Sequence, residues 1–246
     1  MDSKKAIVIT GASSGIGKAC ALHLDSLGFK VYAGVRKESD GESLIKQASS
    51  GLVPIILDVT DSDSITAASE IVERETDGSL YGLINNAGTN RVGPMEQQSP
   101  ENIDLVIDLN IRALYRISQA AITPLKKAGG GSVVNMSSQM GHVGSPNRSL
   151  YCMSKHAVEG LSKTMAVELA ETGIRVNTVA PTFVLTPMTK PMFEDREFSD
   201  FVMGMIPMKK LASAQEVANA CVFLLSDLSS STTGASLKVD GGWTAS

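Results

Sequence analysis

A doubly wound parallel α/β sheet of about seven strands, covered by helices on both faces within one domain, is the fold this sequence predicts. Three observations carry the prediction. Short β-branched apolar runs alternate with longer amphipathic stretches along the 246 residues. The runs are apolar on both faces, as a sheet covered on two sides requires. A glycine cluster follows the first run and opens a helical pattern, at the first crossover of such a sheet.

The strand-like runs fall at residues 6–10, 31–35, 53–57, 80–85, 132–137, 175–180 and 236–239. Helical periodicity covers about 15–27, 62–77, 100–127, 150–172 and 214–226. Ser99 ahead of Pro100 and Glu101 is a helix start, and Ser213 with Glu216 has capping-box spacing. Pro124 is expected to kink or end the long third helix, because it lacks an N–H and crowds the preceding turn. Parallel strands need right-handed crossovers, which these helices supply, so any ligand belongs outside the carboxyl ends of the strands. The stretch 181–212, rich in Pro, Met, Phe and Thr, is too long for an ordinary connection and reads as a substrate lid over about 182–212. No Pro/Gly/Ser-rich linker or charge run divides the chain, so one domain spans residues 1–246.

Hydrophobic residues make up 43% and charged residues 20%, which suits a chain that buries a large core rather than a disordered one. A net charge of −4 with no basic cluster argues against nucleic acid as a partner. No apolar stretch approaches the ~20 residues that cross a bilayer, so no membrane partner is expected. The start, Met1 to Lys5, passes straight into a strand-like run without a secretory pattern. Cys20, Cys152 and Cys221 lack paired spacing and an even count, which disfavours a metal site or a disulfide framework and fits a reducing cytosol. A cytoplasmic location is the expectation, and Cys152 is read as a packing residue.

The glycine cluster reads Thr10-Gly11-Ala12-Ser13-Ser14-Gly15-Ile16-Gly17. Glycines let backbone turn sharply and approach a pyrophosphate, whose charge meets the unpaired amides of a helix start. Strand before and helix after make this a dinucleotide turn rather than an idle one. The cofactor choice rests on the end of the second strand, where a carboxylate would accept from the ribose 2′-hydroxyl and favour NAD. Here that end reads Gly34-Val35-Arg36-Lys37, and cationic Arg36 and Lys37 suit a 2′-phosphate, so NADP is preferred over NAD. Glu38 lies near the acidic spacing and is the feature that would reverse this.

At this point the chain resembles the short-chain dehydrogenase/reductase family over essentially its whole length. Thr10 to Gly17 matches the family's TGxxxGxG turn, Asn85 to Gly88 its NNAG segment, and Tyr151 to Lys155 its YxxxK signature. Ser138 precedes Tyr151 as the family pattern asks, and Asn110 falls at its helix asparagine. The resemblance implies a Rossmann-type domain, with Asp58 and Val59 flanking adenine and Asn86, Ala87 and Gly88 lining the cofactor cleft. It also implies that Asn110 holds a water connecting Lys155 to solvent, that Lys155 holds the nicotinamide ribose, and that Thr186, after Val184, contacts the carboxamide.

The residues support the same chemistry on their own. Tyr151 and Lys155 lie four apart in a helical pattern and share a face. A free phenol has a pKa of ~10; a neighbouring ammonium and an oxidised nicotinamide both favour phenolate and bring Tyr151 toward neutrality. Tyr151 then serves as acid in carbonyl reduction and base in alcohol oxidation. Ser138 ends the fifth strand, where its hydroxyl can hydrogen-bond the substrate oxygen.

The chain departs from the family's frequent Pro-Gly after the sixth strand: Pro181 is followed by Thr182, which adds a β-carbon and hydroxyl beside the nicotinamide. A basic residue that some NADP-preferring relatives carry is replaced by Ser14, leaving Arg36 and Lys37 to support that cofactor. Gln139, Met140, Val143, Arg91, Val92, Met188, Met192, Phe193, Met203 and Met205 are candidate pocket residues. His142, Asn147 and Arg148 are read as ordinary loop residues, the alternative being a polar subsite for a hydroxy acid or sugar. The expected function is transfer of hydride between NADP(H) and a small-molecule ketone or secondary alcohol. One rival is an NAD-dependent alcohol or sugar dehydrogenase with the same residues; another is a non-catalytic dinucleotide-sensing protein. Reduction of a carbon–carbon double bond is disfavoured, because in the resembling family it uses a wider Tyr-to-Lys spacing. The resemblance further implies a homotetramer through helices near 100–127 and 150–172 and the segment 236–242.

Overall fold

The computed structural model describes residues 5–245; Met1 to Lys4, read above for a targeting signal, and Ser246 lie outside them. Seven strands form one parallel sheet: β1 (Ala6–Ile9), β2 (Lys30–Val35), β3 (Leu52–Ile56), β4 (Gly82–Asn85), β5 (Gly131–Met136), β6 (Ile174–Pro181) and β7 (Ser236–Val239). Their order is β3-β2-β1-β4-β5-β6-β7. The winding reverses between β1 and β4, and a crevice opens outside the strand ends at that switch.

Alternate residues along β1 show why the sheet needs two covers. Ile7 and Ile9 pack with Ala21 and Leu24 of α1 (Gly15–Ser26) and with Val217 and Leu224 of α8 (Ala214–Leu225). Ala6, in contrast, packs on the other face with Leu83, with Ile65 and Val72 of α3 (Ser62–Thr76), and with Ile117 of α5 (Ala113–Lys127). That second layer also takes Met165 and Leu169 of α6 (Ser149–Leu169). The doubly wound architecture expected from the sequence is therefore present.

Departures from the expected elements have local causes. The stretch expected as one helix over 100–127 is α4 (Pro100–Ile107), a π turn (Asp108–Arg112) and α5. Ser99 caps it as expected, accepting from the Asn102 amide, and the Ser213 capping box forms. Pro124 does not end α5, which runs on to Lys127. It falls within the last turn, and its carbonyl accepts from the amides of Leu80 and Ala128. Two helices were not expected, α2 (Glu38–Ile45) and α7 (Arg196–Met205). The latter lies inside the stretch 181–212 and starts at Asp195, whose carboxylate accepts from the amides of Glu197 and Phe198. Val202 and Ile206 bury themselves there with Trp243, while Phe183 meets Phe193 and Phe198 edge-on at 5.9 and 5.4 Å. No helix among the described residues is long and apolar enough to cross a membrane.

Candidate active site

A cavity of about 590 Å³ opens at the carboxyl ends of the strands. Its floor at one end is the glycine turn. Gly11 and Gly15 take φ values of +65° and +55°, which side-chain-bearing residues adopt with strain. The Thr10 hydroxyl accepts from the amides of Asn86 and Ala87, and the Asn86 side-chain amide donates to the carbonyls of Thr10 and Gly11. The turn after β1 is thereby tied to the loop after β4. Ser14 occupies the N-cap of α1 with no side-chain cap, so the first amides of that helix face the turn unpaired by it. Gly11, Ser13, Ser14, Gly15 and Ile16 line the cavity. Gly17 does not; a β-carbon there would lie 2.2 Å from the Gly11 carbonyl oxygen, so this glycine serves close packing of α1 on the turn.

Beyond the turn, Arg36, Asp58 and Val59 line the same cavity. Asp58 accepts from the Thr60 amide and hydroxyl, which with the field of Arg36 holds its carboxyl below the ordinary value. Lys37, expected beside Arg36, is instead an exposed N-cap residue of α2 and is not on the wall, because the chain turns into that helix after Arg36. Glu38 is the first residue of α2, likewise exposed and off the wall.

At the opposite end β5 and α6 converge. Ser138 follows β5, caps a short 3₁₀ turn by accepting from the Met140 amide, and bonds the Gln139 side chain at 2.8 Å. Tyr151 and Lys155 project from the first turns of α6, with the Lys155 ammonium 5.5 Å from the Tyr151 ring. The Lys155 Nζ donates to the Met136 carbonyl at 2.7 Å. Only 5% of Lys155 is exposed, and burial pulls its pKa from 10.5 down to about 8, against the opposing field of Glu159. Burial also raises the Tyr151 phenol; a hydrogen bond with Ser138 and the charge of Arg148 oppose the rise. Arg148 is thus a second cation beside Tyr151, one the sequence reading did not use, in addition to the Lys155 ammonium.

Asn110 sits in the π turn behind this wall rather than on it. Its Oδ1 accepts from the Thr89 amide, and its Nδ2 donates to the Thr89 carbonyl and the Ser154 hydroxyl. It thus joins α6 to the loop after Gly88. The bare α-carbon of Gly88 leaves a position 3.2 Å from Asn110 Oδ1 and 3.8 Å from Lys155 Nζ, where a side chain would intrude.

Asn86, Ala87, Gly88, Ser138, Tyr151, Lys155, Pro181, Thr182, Val184 and Thr186 all face the cavity. Among the pocket candidates, Arg91, Gln139, Met140, Met188 and Met192 reach it; Val92, Val143, Phe193, Met203 and Met205 do not. Val143 and Phe193 instead pack around the Val202, Ile206 and Trp243 cluster. Arg148, expected to be a loop residue, lines the cavity and is 5% exposed. His142 and Asn147 stay off the wall; His142 pairs with Glu159 at 3.2 Å. Thr89, Asn90 and Ser137 were missed; each follows a strand end whose neighbours were identified, which is the signal that would have found them. The buried Asn90 Oδ1, Ser137 Oγ and Thr182 Oγ1 have no hydrogen-bond partner among the described residues. A long cavity with a glycine turn, one exposed cation at its far end and orphaned polar atoms at the other fits an extended phosphate-bearing nucleotide.

Comparison with known proteins agrees with this architecture. A family model described as enoyl-(acyl carrier protein) reductase matches residues 11–244. The chain is 39% identical to the 3-oxoacyl-(acyl-carrier-protein) reductase FabG of Thermotoga maritima over 243 residues, covering 97% of each. It is 38% identical to the D-erythrulose reductase of Gallus gallus, covering 97% of this chain and 95% of that one. Among solved structures, ElxO with NADP bound superposes with a TM-score of 0.92 at 32% identity, over 99% of this chain and 100% of that one. Matched nearly end to end in sequence and in fold, the chain belongs to the short-chain dehydrogenase/reductase family.

Proposed function

We propose that the protein is an NADP(H)-preferring oxidoreductase that transfers a hydride between nicotinamide and a ketone or secondary alcohol. The observation that carries the reading is a single cavity with Ser138, Tyr151 and Lys155 on one wall and the glycine turn with Arg36 at the other end. NADPH, when bound, supplies the hydride, and NADP takes it back in the reverse direction. The turn residues Gly11 to Ile16 cradle the pyrophosphate, Arg36 meets the 2′-phosphate, and Asp58 and Val59 flank the adenine. Lys155 holds the ribose, and Thr182, Val184 and Thr186 border the carboxamide. Asn110 acts through Thr89 and Ser154, keeping the loop beside Lys155 in place for proton exchange with solvent.

Ser138 donates to the substrate carbonyl oxygen, and Tyr151 gives that oxygen its proton as the carbon is reduced. Burial raises the phenol and so keeps it in the protonated form from which it donates. The segment 182–212 acts as a lid, with Met188, Thr189 and Met192 against the cavity. The family model's description names reduction of a carbon–carbon double bond. Tyr151 and Lys155 one helical turn apart favour carbonyl chemistry instead, as do the carbonyl-reducing relatives.

A panel of ketones, oxoesters and sugar carbonyls, followed by NADPH absorbance, tests the reading. Tyr151→Phe is expected to lower kcat by roughly 10³-fold while the Kd for NADPH stays within about threefold. Near-normal turnover in that variant would defeat the assignment of the acid. A higher kcat/KM with NADH than NADPH would return the protein to the NAD-dependent reading, and binding of dinucleotide without turnover of any carbonyl would mark a sensing protein.

A further inference from the structure

The cations on the cavity wall do not all stand beside the glycine turn. Arg36, Arg91, Arg148 and Lys155 line the cavity, and the one carboxylate among the lining residues, Asp58, sits at the adenine end bonded to Thr60. At the end near Tyr151 the cations differ in how they are held. Lys155 donates to the Met136 carbonyl, and Arg91 donates to the Asn90 carbonyl at 2.9 Å. Arg148 is 5% exposed, and around its guanidinium stand the Met192 sulfur at 3.8 Å, the Phe183 ring at 6.0 Å, the Tyr151 phenol and the Cys152 thiol. None is a carboxylate or a carbonyl.

A guanidinium carries five N–H donors and stays charged in proteins, and burying it without an anion is costly unless a ligand completes the pair. Arg148 is the N-cap residue of α6, three positions before Tyr151; both side chains line the cavity, and the charge of Arg148 reaches the Tyr151 phenol. An anion on Arg148 therefore lies a few bonds from a carbonyl at Tyr151. A carboxylate matches the planar fork of a guanidinium with two parallel hydrogen bonds.

We propose that the natural substrate is a small oxo acid, or the corresponding hydroxy acid, whose carboxylate is held by Arg148 while its carbonyl faces Ser138 and Tyr151. This rests on the hydride-transfer reading above and names its substrate class. In reduction the hydride of NADPH goes to the carbonyl carbon, the proton of Tyr151 goes to the carbonyl oxygen, and NADP is left oxidised; the carboxylate is unchanged. Phe183 and Met192 bring apolar surface to the guanidinium, excluding water and strengthening the ion pair.

The test compares 2-oxobutanoate and 4-oxopentanoate with their methyl esters as substrates for NADPH-dependent reduction, in the wild-type protein and in Arg148→Met and Arg148→Lys. At least one acid is expected to exceed its ester in kcat/KM, and that acid-to-ester ratio is expected to fall roughly a hundredfold in Arg148→Met, with partial recovery in Arg148→Lys. Esters preferred over both acids by the wild type, or a ratio unchanged by the substitution, overturns the proposal. So does a loss confined to the KM for NADPH, which would give the guanidinium to the dinucleotide. Calorimetric binding of succinate to the wild-type protein saturated with NADP provides a second arm that needs neither turnover nor a folded variant. Succinate that binds where dimethyl succinate does not supports the carboxylate site, and equal or absent binding of the two removes it. If succinate binds but no carbonyl compound is reduced, the carboxylate site stands and the hydride-transfer reading falls.

Discussion

Lys155 shows how much the surroundings of one residue matter. Its pKa of about 8, against the ordinary 10.5, means that the fold favours the neutral amine. The unfolded chain binds this proton more tightly, so the cost of keeping the folded ammonium is full below pH 8 and gone above 10.5. Stability is therefore expected to rise with pH across that window by about 3 kcal/mol from this residue. Urea unfolding of wild type and Lys155→Met at both ends of the window checks it: the difference between the two proteins should change across the window, and parallel pH profiles would show that Lys155 is not buried as a cation. The spacing of Ser138, Tyr151 and Lys155 was legible in the sequence, because two residues four positions apart on one helix and one at a strand end are placed locally. The role of Arg148 was not. Its burial is created by Phe183 and Met192, which lie more than thirty residues downstream and reach it only in the folded chain.

At the scale of elements, the turn between β1 and α1 depends on a glycine that stands off the cavity wall. A β-carbon at Gly17 would come within 2.2 Å of the Gly11 carbonyl oxygen and 2.4 Å of the Asn86 side-chain amide, both of which anchor the turn. Gly17→Ala is expected to cost about 3 kcal/mol in urea unfolding and to weaken NADPH binding at least tenfold, by pushing α1 away from the cradle. A variant with wild-type stability would show that the helix can shift freely. Helices with strong periodicity and caps, such as α8 behind Ser213, were read from the sequence to within a residue. α2 was missed because its eight residues include Gly41 and only two apolar side chains, Leu44 and Ile45. The π turn at Asp108–Arg112 was missed too: its residues fit α-helical periodicity, and what distinguishes it is Asn110 reaching across to Thr89 and Ser154.

For the whole molecule, the sheet leaves two long helices with apolar side chains at the surface. Tyr115 on α5 is 54% exposed and Val167 on α6 is 80% exposed. These lie on the helices expected to form subunit contacts, and a homotetramer is the expected state. Sedimentation should give the tetramer mass for the wild type and a smaller species for Val167→Glu; a monomeric wild type would end that expectation. By itself the sequence determined the parallel sheet and the glycine turn, while the serine, tyrosine and lysine were singled out by their resemblance to the family's motifs. Each depends on periodicity or spacing within one or two neighbouring elements, and the apolar pattern admits one way of covering both faces. Only the tertiary structure decided which cations face the cavity, that Lys37 turns away while Arg148 turns in, and that Asn110 works from behind the wall. Such outcomes depend on contacts between segments far apart in the chain, and burial sets the energy of a charge only once those segments have met.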